Sequence, residues 1–535
     1  MKTAFSFLKT AFHTQQEADE KTESAVNSFV HKHADQITGS LFCPDRLIFK
    51  GYLPFCYPQA MENFLTDHGI LLKDFKDFGP QQALRIKTHA QELAEKSGRT
   101  FRFLERKIRK EDYASQLARQ QGITEGLVAV FSTMETCPTF RILYGKGRPH
   151  LKKDFRRCLV LYFYFLDPEF GLLHVRLPTW FPLTIQIYVN GHEWLARQLD
   201  RQQLSYQRRD NAFLILGDPA QAQQLADRFL HKKWPGFLAV LANRCNPLLA
   251  NLLRGLSYHW VIDQAEFALD ILFRNADALA SLYPRLLEQA TLQLSAEDIL
   301  SYFGRKRPGL CRDEVLTDLK KQHQGFRVKH RYQGNWIKMY DKFAQVLRIE
   351  VVINRPSTFR VRRWGTHKGQ RVFGWYPLIK NVAFLSRYGH VAHQAASRYL
   401  NGLAVVDDPK VSQDLLDRVC NRASFAGRKR RTLNPLSRTD QQLFLAVLRG
   451  EHALRGFRSR DLAQYLNQPP TRDPNQRRRQ SGQRCRLLQL LRAHGLIARL
   501  PHTRRYRVTA RGFAFMSAAV HLRHKAFPAH LNDVA

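Results

Sequence analysis

Two short runs in the second half of the chain alternate apolar and polar residues, and this alternation constrains the fold more than any other stretch. The runs and the break between them are WIKMY at 336–340, FAQ at 343–345 and LRIEV at 347–351. A period of two indicates half-buried strands, and the short break indicates an antiparallel hairpin. If Tyr340 faces Arg348, then Lys338 faces Glu350, and the hairpin has one apolar and one charged face. The chain must therefore build a sheet with a polar face.

Composition limits the number of domains and the class of partner. At 535 residues the chain is too long for one ordinary domain, and a hydrophobic content of 44% is ample for packed cores. The 84 Lys and Arg residues outnumber the 46 Asp and Glu residues, which gives a formal charge of +38. A field of that sign attracts polyanions, nucleic acid above all. No apolar run approaches the ~18 residues of a membrane span, so we expect no membrane partner.

Motifs that the sequence lacks exclude several classes of protein. The eight cysteines form no CxxC pair, which argues against a zinc finger and for reduced thiols in a cytoplasmic protein. The N-terminus MKTAFSFLKTAFH has Lys9 and His13 where a signal peptide has its apolar core. No GxxxxGK[ST] or GxGxxG pattern occurs, so we do not expect a nucleotide-driven motor.

Strand and helix patterns alternate along the chain and predict a multidomain α/β protein of mixed α+β class. Turn signals and shifts in composition divide it into segments. The expected segments are a helical lead-in at 1–40, an α/β domain at 41–240, a helical segment at 246–304, a β-rich domain at 305–405, a basic linker at 406–435 and a distinct domain at 436–535.

Positive charge is concentrated near the C-terminus. Between residues 421 and 535, 24 Lys and Arg residues stand against 5 Asp and Glu residues. The expected order of elements is helix, short helix, arginine-rich helix, strand, loop, strand and helix. Over 436–520 this order, with the segment LLRAHGLIARLPHTRRYRVTARG, resembles the winged-helix DNA-binding domain. The resemblance adds a C-terminal winged helix-turn-helix domain to the expected fold class.

The winged-helix resemblance implies a DNA-binding site on the arginine-rich helix and the loop after it. The helix would enter the major groove, and the loop tip at 502–505 would touch phosphate or the minor groove. The implied nucleic-acid-binding residues are Arg477, Arg478, Arg479, Arg484, Arg486, Arg504 and Arg505. Two alternatives stay open, since a winged helix can serve protein contacts and can also bind structured RNA.

The hairpin itself has a shorter likeness. IKMYDK followed by LRIEVVI is similar to paired strands of plasmid and phage rolling-circle replication initiators, which nick DNA through a tyrosine beside a carboxylate-bound metal. The likeness implies that Asp341 and Glu350 are catalytic and hold a divalent metal, Mg or Mn, with Lys338 or Lys342 near the phosphate. On the charged face of the hairpin, Lys338 and Arg348 are the expected contacts to nucleic acid. The His-hydrophobic-His motif of most such nickases is absent. The structural alternative is a Lys338–Glu350 cross-strand pair beside a buried Tyr340.

A nucleophile for such a reaction would need exposure near the hairpin and a means of losing its proton. Tyr399, in the segment HQAASRYLNG, is the catalytic candidate, because it lies on the helix after the hairpin and beside Arg398. The alternative is a core tyrosine of an amphipathic helix.

A second acidic group lies in 247–275, which we predict to be one long apolar helix. On a helix, His259, Asp263, Glu266 and Asp270 would share one face. Such a face could hold a divalent metal through hard oxygen ligands. We expect instead that arginines from another domain pair with Asp263 or Glu266.

Together these features predict a nucleic-acid-binding protein, with DNA favoured over RNA. The favoured role is metal-assisted strand processing or replication-type initiation for a plasmid, phage or other mobile genetic element. The alternatives are a non-catalytic DNA-binding regulator and a binder of structured RNA.

Overall fold

The structure, a computed structural model, divides into two compact units. The larger unit comprises residues 1–287 and 296–404, and the smaller one comprises 288–295 and 405–535. The residues that the structure describes are 29–105, 107–144, 148–304, 315–322, 325–367, 369–403, 417–425, 427–448, 456–466, 468, 471, 473–500, 503–521 and 523.

Strands and helices alternate through the larger unit, and the chain is of the mixed α+β class that the sequence predicts. The first half of the unit contains β1 (Ile37–Tyr52), α1 (Pro58–Asp67), α2 (Phe75–Lys96), β2 (Thr100–Phe103), α3 (Lys110–Gln120), β3 (Gly126–Leu143), β4 (His150–Asp167), β5 (Gly171–Pro178), β6 (Ile185–Asn190), α4 (Gly191–Arg201), β7 (Tyr206–Arg209), β8 (Ala212–Leu216), α5 (Pro219–Phe229) and α6 (Trp234–Cys245). The second half contains β9 (His259–Phe273), α7 (Ala276–Glu288), α8 (Ala296–Tyr302), β10 (Leu316–Gln322), β11 (Gly325–Tyr332), β12 (Asn335–Lys342), β13 (Val346–Ile353), β14 (Arg360–His367), β15 (Gln370–Pro377) and α9 (Leu385–Leu403).

One 11-stranded sheet organises the larger unit. Its strand order is β10-β11-β12-β13-β9-β1-β6-β5-β4-β3-β2. Adjacent strands are antiparallel except β2 and β3, which are parallel. Because β9 joins β1 to β13, the segments expected as separate domains at 41–240 and 305–405 contribute strands to the same sheet.

Helices α6 and α9 pack on one face of this sheet, which is apolar. On that face the ring of Phe49 packs against Trp234 of α6, with ring centroids 4.7 Å apart. Phe42 likewise packs against His393 of α9, at 4.8 Å. Fully buried side chains of the face include Leu47, Phe267, Leu269, Ile349 and Val351. Removal of these side chains from water is the main stabilising contribution to such a layered fold.

The opposite face of the sheet is polar. Directly opposed residues of adjacent strands point to the same face. The register therefore places on one polar face Arg176, His174, Tyr188, Arg46, Glu266, Asp270, Arg348, Glu350, Lys338 and Tyr340. This polar face extends through the centre of the sheet.

The hairpin β12–β13 has the register that the sequence predicts. Tyr340 pairs with Arg348, and Lys338 pairs with Glu350. The expected apolar side chains are buried: Ile337, Met339, Leu347, Ile349 and Val351. The turn residues at 343–344 both have positive φ, 57° and 60°, the conformation in which a two-residue turn matches the twist of its strands.

The predicted helix at 247–275 is wrong over most of its length. Residues His259–Phe273 form the central strand β9, and only Pro247–Ala250 is helical, as a 3-10 turn. The spacing of the acidic residues suggested a helix. A spacing of four places two residues on one face of a helix, but it is also a multiple of the strand period of two, so it fits one face of a strand as well. As a central strand, β9 is buried over most of its length and shows little alternation to reveal it.

The smaller unit has its own core. It contains β16 (Ala423–Phe425), β17 (Arg428–Arg430), α10 (Arg438–Val447), a 3-10 turn (Ser459–Leu462), α11 (Pro474–Ala493), β18 (Ile497–Arg499), β19 (Tyr506–Val508) and α12 (Ala510–His521). From α10 onward the elements follow the order expected from the sequence. Asp473 caps α11, since its carboxylate accepts from the backbone N–H of Asn475 at 2.9 Å. The buried core includes Phe444, Leu488, Leu491, Leu496 and Phe515.

Two further segments expected from the sequence are the helical lead-in at 1–40 and the basic linker at 406–435. Residues 1–28 of the expected lead-in lie outside the described residues, and β1 begins at Ile37. The described part of the expected linker includes the β16–β17 hairpin and Leu433, which is buried in the core of the smaller unit. Among the described residues, no helix has the length and apolarity that crossing a membrane requires.

Candidate functional site

Three buried carboxylates converge on the polar face at the centre of the sheet. They are Asp45 on β1, Glu266 on β9 and Glu350 on β13, and each offers an oxygen within 4.8 Å of the other two. We call these three residues the carboxylate triad. Their exposed fractions are only 7%, 8% and 3%, so water screens their mutual repulsion weakly. Such an arrangement requires compensating positive charge.

The strand register brings the triad together. Glu266 lies directly opposite Arg46 on β1 and one diagonal step from Glu350 on β13. Asp45 is the extra residue of a β-bulge immediately before Arg46, and a bulge re-aims the side chain that it carries. The bulge therefore adds Asp45 to a face on which the regular register has already placed the two glutamates.

Glu266 is the least compensated member of the triad. Within the described part of the chain its carboxylate has no hydrogen bond or ion pair. Burial and the negative charge of Glu350 raise the pKa of Glu266 to about 7, although Lys338 and Arg46 act in the opposite direction. A carboxyl group crowded by like charge retains its proton to higher pH, so near neutral pH this site has an affinity for positive charge.

Asp45 is held by the start of α4 and by the β7–β8 turn. Its Oδ1 lies 3.1 Å from His192 Nδ1 and 3.3 Å from the Asn211 amide nitrogen. We assign Nδ1 as the donor, because His192 Nε2 faces Arg348 Nη2 at 3.3 Å and a guanidinium only donates. Burial alone would raise the pKa of Asp45, but the His192 hydrogen bond and Arg348 hold it well below its usual range. Asp45 is therefore an anion at neutral pH.

A fully buried salt bridge adjoins the triad. Arg348 donates to Asp270 from Nε and from Nη2, and each nitrogen is 2.7 Å from a different carboxylate oxygen. Nη2 also donates to the Asn211 carbonyl at 2.7 Å. Among the described residues, Nη1 has no hydrogen-bond partner, and it lies 3.9 Å from Asp45 Oδ2. Because an unsatisfied buried donor costs free energy, this nitrogen is a ready partner for an anionic ligand at the triad.

Two residues of β12 bind Glu350. Lys338 Nζ forms an ion pair with Oε1, and the Tyr340 hydroxyl donates to Oε2 at 2.7 Å. Burial and the charge of Glu350 raise the pKa of Tyr340 well above its usual value, so this phenol acts as a donor. The cross-strand pair expected as the structural alternative is thus present, and it belongs to a buried polar cluster that includes the triad.

The donor set of the triad fits a hard divalent cation. Mg²⁺ and Mn²⁺ prefer carboxylate oxygens, at about 2.0–2.1 Å for Mg²⁺, so ligands on opposite sides of one ion lie roughly 4 Å apart. The triad oxygens, within 4.8 Å of one another, can reach one ion with small side-chain movements. A divalent charge there would also offset the repulsion between Glu266 and Glu350.

The structure separates the two carboxylates that the hairpin likeness paired. Asp341 lies opposite Leu347, whereas Glu350 lies opposite Lys338. Asp341 and Lys338 are an odd number of positions apart, so strand alternation turns their side chains to opposite faces. The expected Asp341–Glu350 metal pair is therefore wrong. Asp45 and Glu266, from strands distant in sequence, accompany Glu350 instead.

Tyr399 is not at the site. It is 0% exposed on α9, the helix that packs on the apolar face, and its hydroxyl lies 3.0 Å from His330 Nε2. Burial raises the pKa of Tyr399 well above its usual value. Its expected catalytic role is contradicted by this placement, because a helix-covered phenol on the far side of the sheet cannot reach a substrate at the triad.

The other acidic residues of β9 have partners within the protein. Asp263 accepts from Lys380 Nζ at 2.9 Å and from the Gln186 side chain at 3.0 Å. The arginine pairing expected at Asp263 or Glu266 occurs instead at Asp270, with Arg348 as its partner. Glu266, in contrast, belongs to the carboxylate triad.

The arginines expected to bind nucleic acid fall into two groups. Those with exposed side chains are Arg477, Arg478, Arg479 and Arg486 on α11 and Arg504 in the loop after it. Arg484 differs, because it is 9% exposed and donates to Gln468, so it supports the neighbouring loop. Arg505 donates to the Gly456 carbonyl at 3.2 Å. His502 lies outside the described residues.

Sequence reasoning missed Asp45 and His192. Asp45 follows Pro44 inside the apolar run LFCPDRLIFKG, and a proline within a strand pattern indicates an edge or a bulge. His192 comes directly after Asn190-Gly191, and Asn190 is the N-cap of α4. Each signal was present locally, but neither indicated a partner on another strand.

Comparisons with models of known protein families, with curated proteins and with solved structures found no match. The function of the chain must therefore be inferred from its own residues and their geometry.

Proposed function

We propose that this protein binds nucleic acid, DNA by preference, and processes a strand of it with a divalent metal held by the carboxylate triad. The observation that supports this most is the convergence of three carboxylates beside Arg348 Nη1, which has no hydrogen-bond partner among the described residues, in a chain of charge +38. Carboxylates bind a metal and a guanidinium binds a phosphate, so the two together suit a metal-bound phosphate ester.

The metal, when bound, would polarise a phosphate ester and neutralise charge on it. The residues of the chain would supply the remaining interactions. Lys338 and Tyr340 orient Glu350, and His192 orients Asp45. Arg348 Nη1 would donate to a phosphate oxygen, as a preorganised donor in a water-poor site. Arg46, which is exposed beside Glu266, would attract the nucleic-acid backbone.

Metal binding can be tested without nucleic acid. Mn²⁺ is titrated into the EDTA-treated full-length protein, and free Mn²⁺ is followed by electron paramagnetic resonance. We expect saturable binding that weakens at least tenfold in Glu266→Gln and in Glu350→Gln, because an amide replaces a charged ligand. Glu135→Gln is the matched control, since Glu135 is a half-buried glutamate of the same sheet that pairs with Arg176. Unchanged binding in Glu266→Gln would rule out the triad as the metal site.

Strand processing is tested with labelled single-stranded and supercoiled DNA in Mg²⁺ or Mn²⁺. We expect cleavage by the unmodified protein, none in EDTA, and a rate at least 100-fold lower in Glu266→Gln. Binding of DNA and metal without any cleavage would favour the alternative of a non-catalytic DNA-binding regulator.

A second part of the proposal concerns the smaller unit. We propose that residues 436–520 act as a winged-helix DNA-binding domain, with α11 as the duplex-reading helix. The exposed arginines at 477–479 lie in the first turns of that helix, where side chains and backbone N–H groups can meet phosphates and base edges. This surface would hold duplex DNA for a role in replication-type initiation by a mobile genetic element in the cytoplasm.

Duplex binding is tested by changing Arg477, Arg478 and Arg479 together to alanine in the full-length protein. If these residues contact phosphates, the slope of log K against log salt concentration should fall by roughly 0.9 for each lost contact. The control replaces three exposed lysines of the larger unit, Lys73, Lys76 and Lys87. Equal effects of the two triple variants would indicate attraction by net charge alone. Tighter binding to a structured RNA than to any duplex DNA would favour the RNA alternative.

A further inference from the structure

The β14–β15 hairpin forms a two-stranded sheet separate from the main one. With eight residues in each strand, it extends over roughly 25 Å. Its register places eight side chains on one face, and six of them are arginines or aromatic rings, beside Thr366 and Pro377. We call these six the ribbon face: Arg360, Arg362, Trp364, Arg371, Phe373 and Trp375, all of them exposed.

The aromatic rings of the ribbon face are large and exposed to solvent. Trp364, Trp375 and Phe373 are 57%, 56% and 39% exposed. A two-stranded ribbon has marginal stability by itself. The Trp364 and Phe373 rings form a cross-strand pair with centroids 5.6 Å apart, yet both rings keep a large surface exposed. Clustered exposed apolar side chains on a soluble protein mark a binding surface.

On the opposite face of the ribbon, the aromatic ring of Tyr376 is packed against its neighbours. Tyr376 lies on the backbone of Gly365, where a Cβ would come within 2.6 Å of the ring. Arg363 lies over the other side of that ring, 5.1 Å from its centroid, and Val361 is buried. The local sequence therefore uses glycine to seat a tyrosine on one face and leaves three rings exposed on the other.

The chemistry of the ribbon face matches a single strand of nucleic acid. Arg362 lies 5.6 Å from the Phe373 ring centroid, and Arg371 lies 5.7 Å from that of Trp364. Rings provide surfaces on which unpaired bases stack, and guanidiniums beside them meet the phosphates. No acidic residue occurs between 360 and 377, so nothing on the ribbon itself repels a polyanion. A duplex conceals its base faces and could use only the charges.

The base of the ribbon is close in sequence and in contacts to the strands of the triad. β14 follows β13, which carries Glu350, after a single 3-10 turn. Lys380, shortly after β15, pairs with Asp263 of β9, the strand that carries Glu266. The ribbon is therefore attached to two of the three strands that build the triad.

We infer that the ribbon face binds single-stranded DNA, with unpaired bases stacked on Trp364, Phe373 and Trp375 and phosphates at Arg362 and Arg371. This inference rests on the proposal that the protein binds nucleic acid. It adds the form of the ligand, a single strand held on the ribbon that directly follows β13.

The test compares ring variants of the full-length protein in binding a fluorescein-labelled oligothymidylate and a labelled duplex. Trp364→Leu, Phe373→Leu and Trp375→Leu keep an apolar side chain but remove the stacking surface. We expect each to weaken oligothymidylate binding roughly 5- to 100-fold, the equivalent of one lost base stack, and to leave duplex binding unchanged. The controls are Val372→Thr on the opposite face and Tyr57→Leu, an exposed ring outside the ribbon.

Each alternative result of this binding test has a different meaning. Oligothymidylate binding that survives all three ring changes overturns the inference while leaving the duplex and metal proposals intact. A change in molecular mass by sedimentation, without a change in oligothymidylate affinity, would overturn it in favour of a protein partner or a second copy. An unmodified protein that binds neither oligonucleotide overturns the proposed function as well.

Discussion

The polar face of the sheet carries two glutamates in opposite situations. Glu135 on β3 accepts from Tyr162 at 2.7 Å and from Arg176 Nε and Nη2 at 3.1 Å and 2.7 Å. Burial would raise the pKa of Glu135, but these two donors hold it below its usual value. Among the residues that the structure describes, Glu266 on β9 has no such donors, and burial with the charge of Glu350 raises its pKa to about 7.

This difference separates a structural polar cluster from a functional one. Glu135 is paired with Arg176 and accepts from Tyr162 within the chain, so this carboxylate is compensated without a ligand. Around Glu266 three carboxylates face each other, while Arg348 Nη1 has no hydrogen-bond partner among the described residues. A metal would offset the excess of buried negative charge, and a phosphate on that metal would accept from this nitrogen. The difference between the clusters around Glu135 and Glu266 can be tested by making the same kind of substitution in each cluster.

The largest effect is expected from removal of the arginine of each cluster. Arg348→Met leaves Asp270 buried without its bidentate partner and should lower the free energy of unfolding by about 3–5 kcal/mol. Arg176→Met leaves Glu135 half-buried with Tyr162 still donating, so the expected loss is about 1–2 kcal/mol. Urea unfolding followed by tryptophan fluorescence reports on the larger unit, because all 7 tryptophans lie within it.

Replacing both members of the buried pair provides the control for this measurement. Asp270→Asn combined with Arg348→Met should recover part of the loss, since no buried charge is then left alone. A loss from Arg176→Met that equals the loss from Arg348→Met would mean that the two clusters do not differ in burial or in dependence on their arginine.

The next effect is on the pH dependence of stability. The raised pKa of Glu266 means that the folded state holds this proton more tightly than the unfolded state. Protonated Glu266 therefore stabilises the folded state at low pH, and this contribution is lost as the pH rises from the ordinary glutamate range to about 7. The loss should be on the order of 3 kcal/mol without divalent metal. Glu266→Gln should remove this decline and be more stable than the unmodified protein at pH 8.

Glu135→Gln should give the opposite sign. A lowered folded-state pKa contributes stability above the ordinary glutamate range, and that stability is lost as pH falls. The variant should therefore be less stable than the unmodified protein at pH 8, and the difference should shrink below pH ~4. Both curves come from urea titrations in EDTA between about pH 3 and 8. A Glu266→Gln variant that is destabilised at pH 8 would show that Glu266 is structurally paired.

Local sequence pattern predicted the hairpin register but could not predict the triad. The Tyr340–Arg348 and Lys338–Glu350 pairs follow from alternation and one short turn. The triad depends on the pairing of β1 with β9 and of β9 with β13, contacts between segments far apart in the chain that no local period encodes. The bulge at Asp45 adds a further shift that only the paired strand reveals.

The smallest effect is expected from the tyrosine of each cluster. Tyr162→Phe and Tyr340→Phe each remove one hydroxyl donor, to Glu135 and Glu350 respectively. Each should cost on the order of 1.5 kcal/mol in EDTA, the lower end of the range for a hydrogen bond to a charged group. Saturating Mn²⁺ should recover most of the loss in Tyr340→Phe, because a cation at the triad takes over the role of the missing donor. It should not recover the loss in Tyr162→Phe, since Glu135 would bind no ion. Equal recovery in both variants, measured by the same urea titrations with and without Mn²⁺, would show that the metal acts elsewhere, and the distinction between the two clusters would fail.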